Sequence, residues 1–209
     1  MVDIIECRYK YFLCNYFKKF PKFQLDNVKF FVTDLWETYK DIAFTYFTHA
    51  KIIADCFHFV RYATGAVDTL RKKVQSNLQK SERKWFKKSR RLLLSRKCKI
   101  KNDDDIEQLN YMLINFSEDL RIAYREKECF LDTIHSSEPY KIKEQLFNEW
   151  VYRNLHSPVE ELVSVAKTYQ HWAIEIRHVL EFPYSNGCTE GINNKIKTNI
   201  IWYDKFYSF

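Results

Sequence analysis

Apolar residues recur at helical spacing along most of the chain, and a few short apolar runs interrupt this pattern. Residues 8–20 carry aromatic and aliphatic side chains three and four positions apart, which predicts a helix that ends at Pro21. Residues 28–33 and 51–55 are short runs rich in aromatic, aliphatic and β-branched side chains, as strands are, and residues 35–47 between them return to helical spacing. With another short strand at residues 2–5, the pattern predicts a β-α-β-α-β order and a partly parallel sheet.

From about residue 61 onward the periodicity is helical. It predicts helices over residues 106–129, 140–155 and 158–182, with Asn102 as an N-cap and a loop at residues 135–140. The chain is therefore predicted to be mostly helical. We expect an α/β core in residues 1–60, an all-α insertion in residues 61–182, and a returning helix in residues 183–209.

The returning segment concentrates polar residues in an unusual way. Two of the three glycines of the chain lie in it, and Tyr184-Ser-Asn-Gly predicts a turn because Asn and Gly tolerate positive φ. In the helix predicted after this turn, one face carries an acid, two amides and a lysine: Glu190, Asn193, Asn194 and Lys197. The face is either a solvated surface of a capped helix or a site for a metal and a phosphodiester.

Composition restricts the classes of partner. No run of about 18 apolar residues is present, so no membrane span is predicted. The first residues do not resemble a signal peptide, and the six cysteines are scattered, which favours reduced thiols in a cytoplasm. The formal net charge of +7 favours a polyanionic partner, nucleic acid first and an acidic membrane surface second.

Residues 71–101 are the most basic part of the chain. They hold fourteen Lys or Arg residues, among them Arg71, Lys72 and Lys73, against the single acid Glu82. A charge run of this kind is often only the solvated face of a helix. The imbalance favours a second interpretation, in which the segment binds phosphates without reading bases.

Four segments together resemble one family. They are VTDLWETY at residues 32–39, AKIIADCFHFV at 50–60, HWAIEI at 171–176 and SNGCTEGINNKIK at 185–197. They are similar to the motifs of bacterial insertion-sequence transposases of the ISL-three type, which have a DDE site in a ribonuclease-H-like fold. The resemblance extends over residues 2–197.

The resemblance implies a set of site residues. Asp34 and Glu190 correspond to the second and third catalytic carboxylates and would hold Mg²⁺ or Mn²⁺. Asn193, Asn194 and Lys197 would contact DNA or support Glu190. The implied substrates are transposon ends and target DNA. A helical insertion would account for the separation of 156 positions from Asp34 to Glu190.

Asp55 and His58 allow two interpretations. They are either positioning or metal-proximal residues beside the carboxylates, or a strand-end Asp and a His at the start of a helix. Zinc at Cys56 and His58 is disfavoured, because no second pair of residues has ligand spacing.

The sequence lacks the first motif of the family pattern. No segment resembles the G-I-D-E motif that carries the first carboxylate, so we expect an incomplete ribonuclease-H-like core without strands one and two. After Lys197 the usual basic pair and Gly are also replaced. The resemblance therefore implies a truncated, inactive transposase. The alternative is a non-catalytic fragment at the bacterial nucleoid that binds DNA, another copy of itself or a full-length transposase.

Overall fold

The computed structural model describes residues 5, 7–87, 89–182, 184–187, 191–192 and 195. Helices dominate these residues, which confirms the prediction of a mostly helical chain. They form two compact units. Unit 1 lies within residues 1–57 and 182–209, and unit 2 comprises residues 58–181.

Unit 1 contains a small α/β arrangement. Its elements are α1 (Lys10–Phe17), α2 (Lys22–Asp26), β1 (Phe30–Thr33), α3 (Glu37–Tyr46) and β2 (Lys51–Ala54). The two strands pair in parallel, with Phe30 opposite Lys51 and Thr33 opposite Ala54. A crossover helix between parallel strands is the expected connection, and α3 supplies it. The strand predicted at residues 2–5 falls mostly outside the described residues.

The core of unit 1 lies between its helices and the strand pair. Leu13 of α1, Ile42 of α3 and Phe47 are buried together, and Phe17 and Phe31 pack against them. The rings of Phe17 and Phe31 lie 5.0 and 5.1 Å from that of Phe47. Burial of these apolar faces holds β1 against α3.

All secondary structure in the described residues of unit 2 is helical. Helix α4 (Cys56–Asn77) begins at the end of unit 1 and continues into unit 2. The following elements are α5 (Lys80–Lys87), α6 (Ser89–Leu94), the 3₁₀ turn Lys97–Lys99, α7 (Asp103–Asn115), α8 (Glu118–His135), α9 (Tyr140–Leu155), α10 (Glu160–His171) and α11 (Ala173–Glu181).

Aromatic side chains fill the core of unit 2. Phe130 of α8 lies 4.8 Å from the ring of Tyr169 and 5.1 Å from that of Trp150. The Tyr169 hydroxyl donates to the backbone oxygen of Phe59 at 2.5 Å, and the Trp150 indole donates to that of Glu126 at 2.9 Å. Both polar tips are therefore satisfied inside the apolar core, as buried Tyr and Trp require.

Two long helices predicted from the sequence are each divided in two. Residues 106–129 belong to α7 and α8, because Ser117 caps α8 by accepting the backbone N–H of Leu120 at 3.2 Å. Residues 158–182 belong to α10 and α11, which separate at Trp172, where φ is −100° and ψ is 22°. Asn102 caps α7 as predicted, by accepting the Asp104 N–H at 2.9 Å.

No helix among the described residues is long and apolar enough to cross a membrane.

Candidate functional site

Asp34 and Asp55 follow directly after the two paired strands. Since Thr33 is opposite Ala54, the next position on each strand brings Asp34 beside Asp55. The Asp55 N–H donates to the Thr33 carbonyl at 2.8 Å, which extends the strand pairing to this point. Neighbouring strands lie about 4.8 Å apart, so the two carboxylates meet at the same end of the sheet. Asp34 is half-buried, and Asp55 is only 2% exposed.

His58 lies three residues after Asp55, in the first turn of α4. One potential ligand atom from each of Asp34, Asp55 and His58 lies within 4.8 Å of the other two. The sequence allowed two interpretations of Asp55 and His58. In the structure, potential ligand atoms of both residues lie close to Asp34.

The chemistry of this group fits a divalent cation. Carboxylate oxygens suit Mg²⁺ and Mn²⁺, and an imidazole adds affinity for Mn²⁺ more than for Mg²⁺. Two carboxylates at this distance repel each other when one is buried, and a bound cation would offset that repulsion. The three residues could therefore hold the metal that the resemblance implies.

The neighbouring thiol is not the type of ligand that Mg²⁺ or Mn²⁺ prefers. Burial, with the negative charge of Asp55 in addition, raises the pKa of Cys56 to about 11. Without a bound metal this thiol is therefore protonated near neutral pH, and thiolate ligands suit softer metals than Mg²⁺. Beside Asp34, burial and then the charge of that carboxylate raise the pKa of Tyr39, although Arg8 lowers it.

A shallow pocket lies on α4 beside His58. Its volume is about 320 Å³, and its lining residues are His58, Arg61 and Tyr62. This volume is at the small end of the range of ligand sites. Arg61 and Tyr62 are exposed and follow His58 by three and four positions, so they share its helix face. Sequence reasoning missed Arg61, although its spacing from His58 was the signal that could have found it.

The returning segment reaches the same end of the sheet. The Asn186 N–H donates to Asp55 Oδ1 at 3.4 Å. The predicted turn at residues 184–187 uses no positive φ at its described positions. Instead, Ser185 Oγ accepts the Gly187 N–H at 3.5 Å, and Gly187 is already helical. The predicted site residues Glu190, Asn193, Asn194 and Lys197 lie outside the described residues.

The basic segment at residues 71–101 is largely exposed. Eleven of its fourteen basic side chains are described, and nine of these are exposed. The nine are Lys72, Lys73, Lys80, Arg83, Arg90, Arg91, Lys97, Lys99 and Lys101. We call these nine residues the basic surface. A surface of this charge attracts phosphates independently of base sequence.

The three basic residues selected from the sequence have different environments. Arg71 is 6% exposed and donates to Asp68 at 2.8 Å and to Gln75 at 2.7 Å within α4. Lys72 pairs with Asp68 at 2.9 Å and Lys73 with Glu161 at 2.5 Å, but their side chains are 66% and 61% exposed. Burial raises the pKa of Asp68, yet hydrogen bonds from Lys72 and Arg71 outweigh this effect and lower it overall.

Nearly the whole chain is similar to one known protein family. A family model described as a transposase, for DDE transposases of the ISL-three type, matches residues 1–200. The chain therefore belongs to the ISL-three-type family of DDE transposases. No curated protein matches the chain, and no solved structure matches it either.

Proposed function

We propose that this chain carries the metal-binding and DNA-binding parts of a DDE transposase. The observation that carries the proposal is the meeting of Asp34 with Asp55 and His58 at the ends of two parallel strands, in a chain of this family. The strand ends of a parallel sheet are where ligand-binding side chains commonly gather. Asp34 would be a metal ligand there, with Glu190 as the second carboxylate ligand.

The proposed reaction is phosphodiester hydrolysis at transposon ends, followed by attack of the freed 3′-hydroxyl on target DNA. Bound Mg²⁺ or Mn²⁺ would supply activation of the attacking oxygen and stabilisation of the leaving one. Asp34 and Glu190 would hold the metal, and His58 and Arg61 would face the DNA backbone from α4. Asn193, Asn194 and Lys197 would contact DNA or support Glu190.

We further propose that these 209 residues alone bind metal and DNA without transferring strands. The basis is that no segment of the sequence resembles the first-carboxylate motif of the family. In a two-metal reaction the metals are held by shared carboxylates, so a missing ligand weakens the transition-state stabilisation they provide. Binding to DNA, to another copy of the chain or to a full-length transposase would place it at the nucleoid.

Incubation of the purified chain with labelled duplex DNA carrying the element ends tests this proposal. With Mg²⁺ or Mn²⁺ present, we expect a shifted DNA band and no cleaved product. Metal-dependent cleavage that disappears in Glu190→Ala but persists in the surface variant Asp41→Ala would contradict the proposed inactivity. It would equally support Glu190 as a catalytic residue.

The exposed basic surface favours a second candidate function, a DNA-binding protein that inhibits transposition without catalysis. Lys72 and Lys73 are the members of the basic surface that lie on α4. Both side chains are exposed to solvent although each forms an ion pair. Their acidic partners Asp68 and Glu161 are only 14% and 15% exposed. Because an ammonium group has three donors, each lysine can contact a DNA phosphate while it keeps its ion pair.

Salt dependence of DNA affinity tests the role of the basic surface. In the double variant Lys72→Ala/Lys73→Ala, the slope of log K against log salt should become shallower by about 0.9 for each phosphate that the variant no longer neutralises. The control is Lys141→Ala/Lys143→Ala on α9, which changes the net charge equally. An equal change of slope in both variants would show that net charge, and not this surface, determines the affinity.

A further inference from the structure

The side chain of Asp55 contacts the segment that leads to Glu190. Asp55 is almost fully buried at the end of β2, and its Oδ1 accepts the Asn186 N–H at 3.4 Å. A buried carboxylate is costly unless polar groups surround it, and a backbone N–H is a suitable donor. Since 3.4 Å is at the long end of the hydrogen-bond range, the contact needs support from neighbouring residues.

Aromatic packing at the other end of the strand pair provides that support. The Phe30 ring lies 5.0 Å from the Phe182 ring and 4.7 Å from the Tyr184 ring. The Lys51 ammonium lies 4.3 Å from the centre of the Phe182 ring. Phe30 and Lys51 are paired at the first position of the two strands. The returning segment is therefore held where the strands begin as well as where they end.

Chain lengths agree with this path. The four steps from Lys51 to Asp55 in β2 cover about 13 Å at strand rise. The four steps from Phe182 to Asn186 reach at most about 14 Å, so the segment can extend from one end of the strand pair to the other. Glu190 follows Asn186 by four more residues. Its Cα therefore stays within about 14 Å of the Asn186 Cα, whatever path the chain takes.

We propose that Asp55 is a positioning residue, which fixes the Asn186 backbone and thereby keeps Glu190 within reach of Asp34. The contribution to catalysis rests on the proposed function, because it requires Glu190 to be a metal ligand. The anchoring of Asn186 does not depend on that function. Asp55 acts here through its acceptor oxygen, which Asn at this position would retain and Ala would not.

Amide hydrogen exchange of Asn186, measured by NMR without metal or DNA, tests the anchor. Asp55→Ala should raise the exchange rate about tenfold, which corresponds to the loss of one net hydrogen bond. Asp55→Asn should leave the rate near that of the wild type. Asp41→Ala, which removes an exposed partner of Lys10 in the same unit, should have no effect.

Two results would overturn the proposal. An unchanged Asn186 rate in Asp55→Ala would show that the contact does not anchor the segment. Equal acceleration in Asp55→Asn and Asp55→Ala would show that Asp55 acts through its charge and not as an acceptor.

Protection of the β2 amides against exchange reports whether each variant is folded. If the β2 amides of Asp55→Ala are no longer protected, a second variant, Asn186→Pro, removes the N–H donor and leaves Asp55 in place. The Gly187 amide of that variant should then exchange about tenfold faster than in the wild type. An unchanged Gly187 rate would overturn the proposal. Because these readouts need no catalysis, the anchor can fail while the proposed function stands.

Discussion

Lys127 shows how one buried charge stabilises the part of unit 2 next to the basic surface. Its side chain is fully buried, and Nζ donates to the carbonyl oxygens of Leu93 and Ser95, each at 2.8 Å. Glu128 Oε1 lies 2.6 Å from the same ammonium. Burial lowers the pKa of Lys127, although Glu128 opposes this effect. The two carbonyls at the end of α6 therefore obtain a donor that the helix itself cannot supply.

Replacement of Lys127 should destabilise unit 2 strongly. Lys127→Met retains the apolar stem but leaves two carbonyls and Glu128 without the ammonium, so we expect a loss of about 3 kcal/mol in unfolding free energy. Urea denaturation measures it. Lys141→Met, an exposed position on α9, is the control and should change the free energy by less than about 0.5 kcal/mol. A similar small loss in Lys127→Met would contradict the assigned role.

Single residues also show how far the sequence predicts the site. The position of Asp34 after an apolar run is predictable, because strand ends follow from local periodicity. Its proximity to Asp55 is not, because it depends on the register in which β1 and β2 pair. The burial of Arg71 is likewise hidden within a run of exposed basic residues. Burial depends on which face of α4 packs against its neighbours.

At the level of elements, local signals predicted most of the helices and strands. The predicted strand at residues 28–33 corresponds to β1, and the helix predicted at residues 140–155 has the bounds of α9. The predictions were wrong where they joined two helices into one. Ser117, followed by two acids, was a readable N-cap signal between α7 and α8. The break at Trp172 has no comparable signal in the sequence.

The arrangement of β1, α3 and β2 explains how unit 1 brings two carboxylates together within a short stretch of chain. A parallel pair with a helical crossover brings two chain positions 21 residues apart to one end of the sheet, since 55 − 34 = 21. The first turn of α4 then adds His58 without any further connection. These three positions are determined by the pairing register of two strands and by the start of one helix.

At the level of the whole molecule, the two units have different proposed tasks. Unit 1 holds the carboxylates at the strand ends, and unit 2 carries the exposed basic surface. Carboxylates that bind metal and lysines that bind phosphate have opposite electrostatic requirements. With separate units, each requirement is met by its own set of side chains.

The family itself was predictable from the sequence, whereas the complete catalytic site was not. Motifs spread over residues 32–197 identified the transposase family, and the family model confirms it. The roles of Asp34 and Glu190 stay predictions. No sequence pattern indicated that Asp55 accepts the Asn186 amide, because the two residues are 131 positions apart.

Electron paramagnetic resonance of Mn²⁺ added to the purified chain tests whether Asp34 holds a metal. We predict that the wild-type chain binds Mn²⁺ and that Asp34→Asn weakens binding about tenfold or more, because a charged ligand is lost. The control Asp41→Asn removes the same charge from an exposed position of α3 and should leave the affinity unchanged. Equal affinity in the wild type and Asp34→Asn would contradict the claim that Asp34 holds the metal.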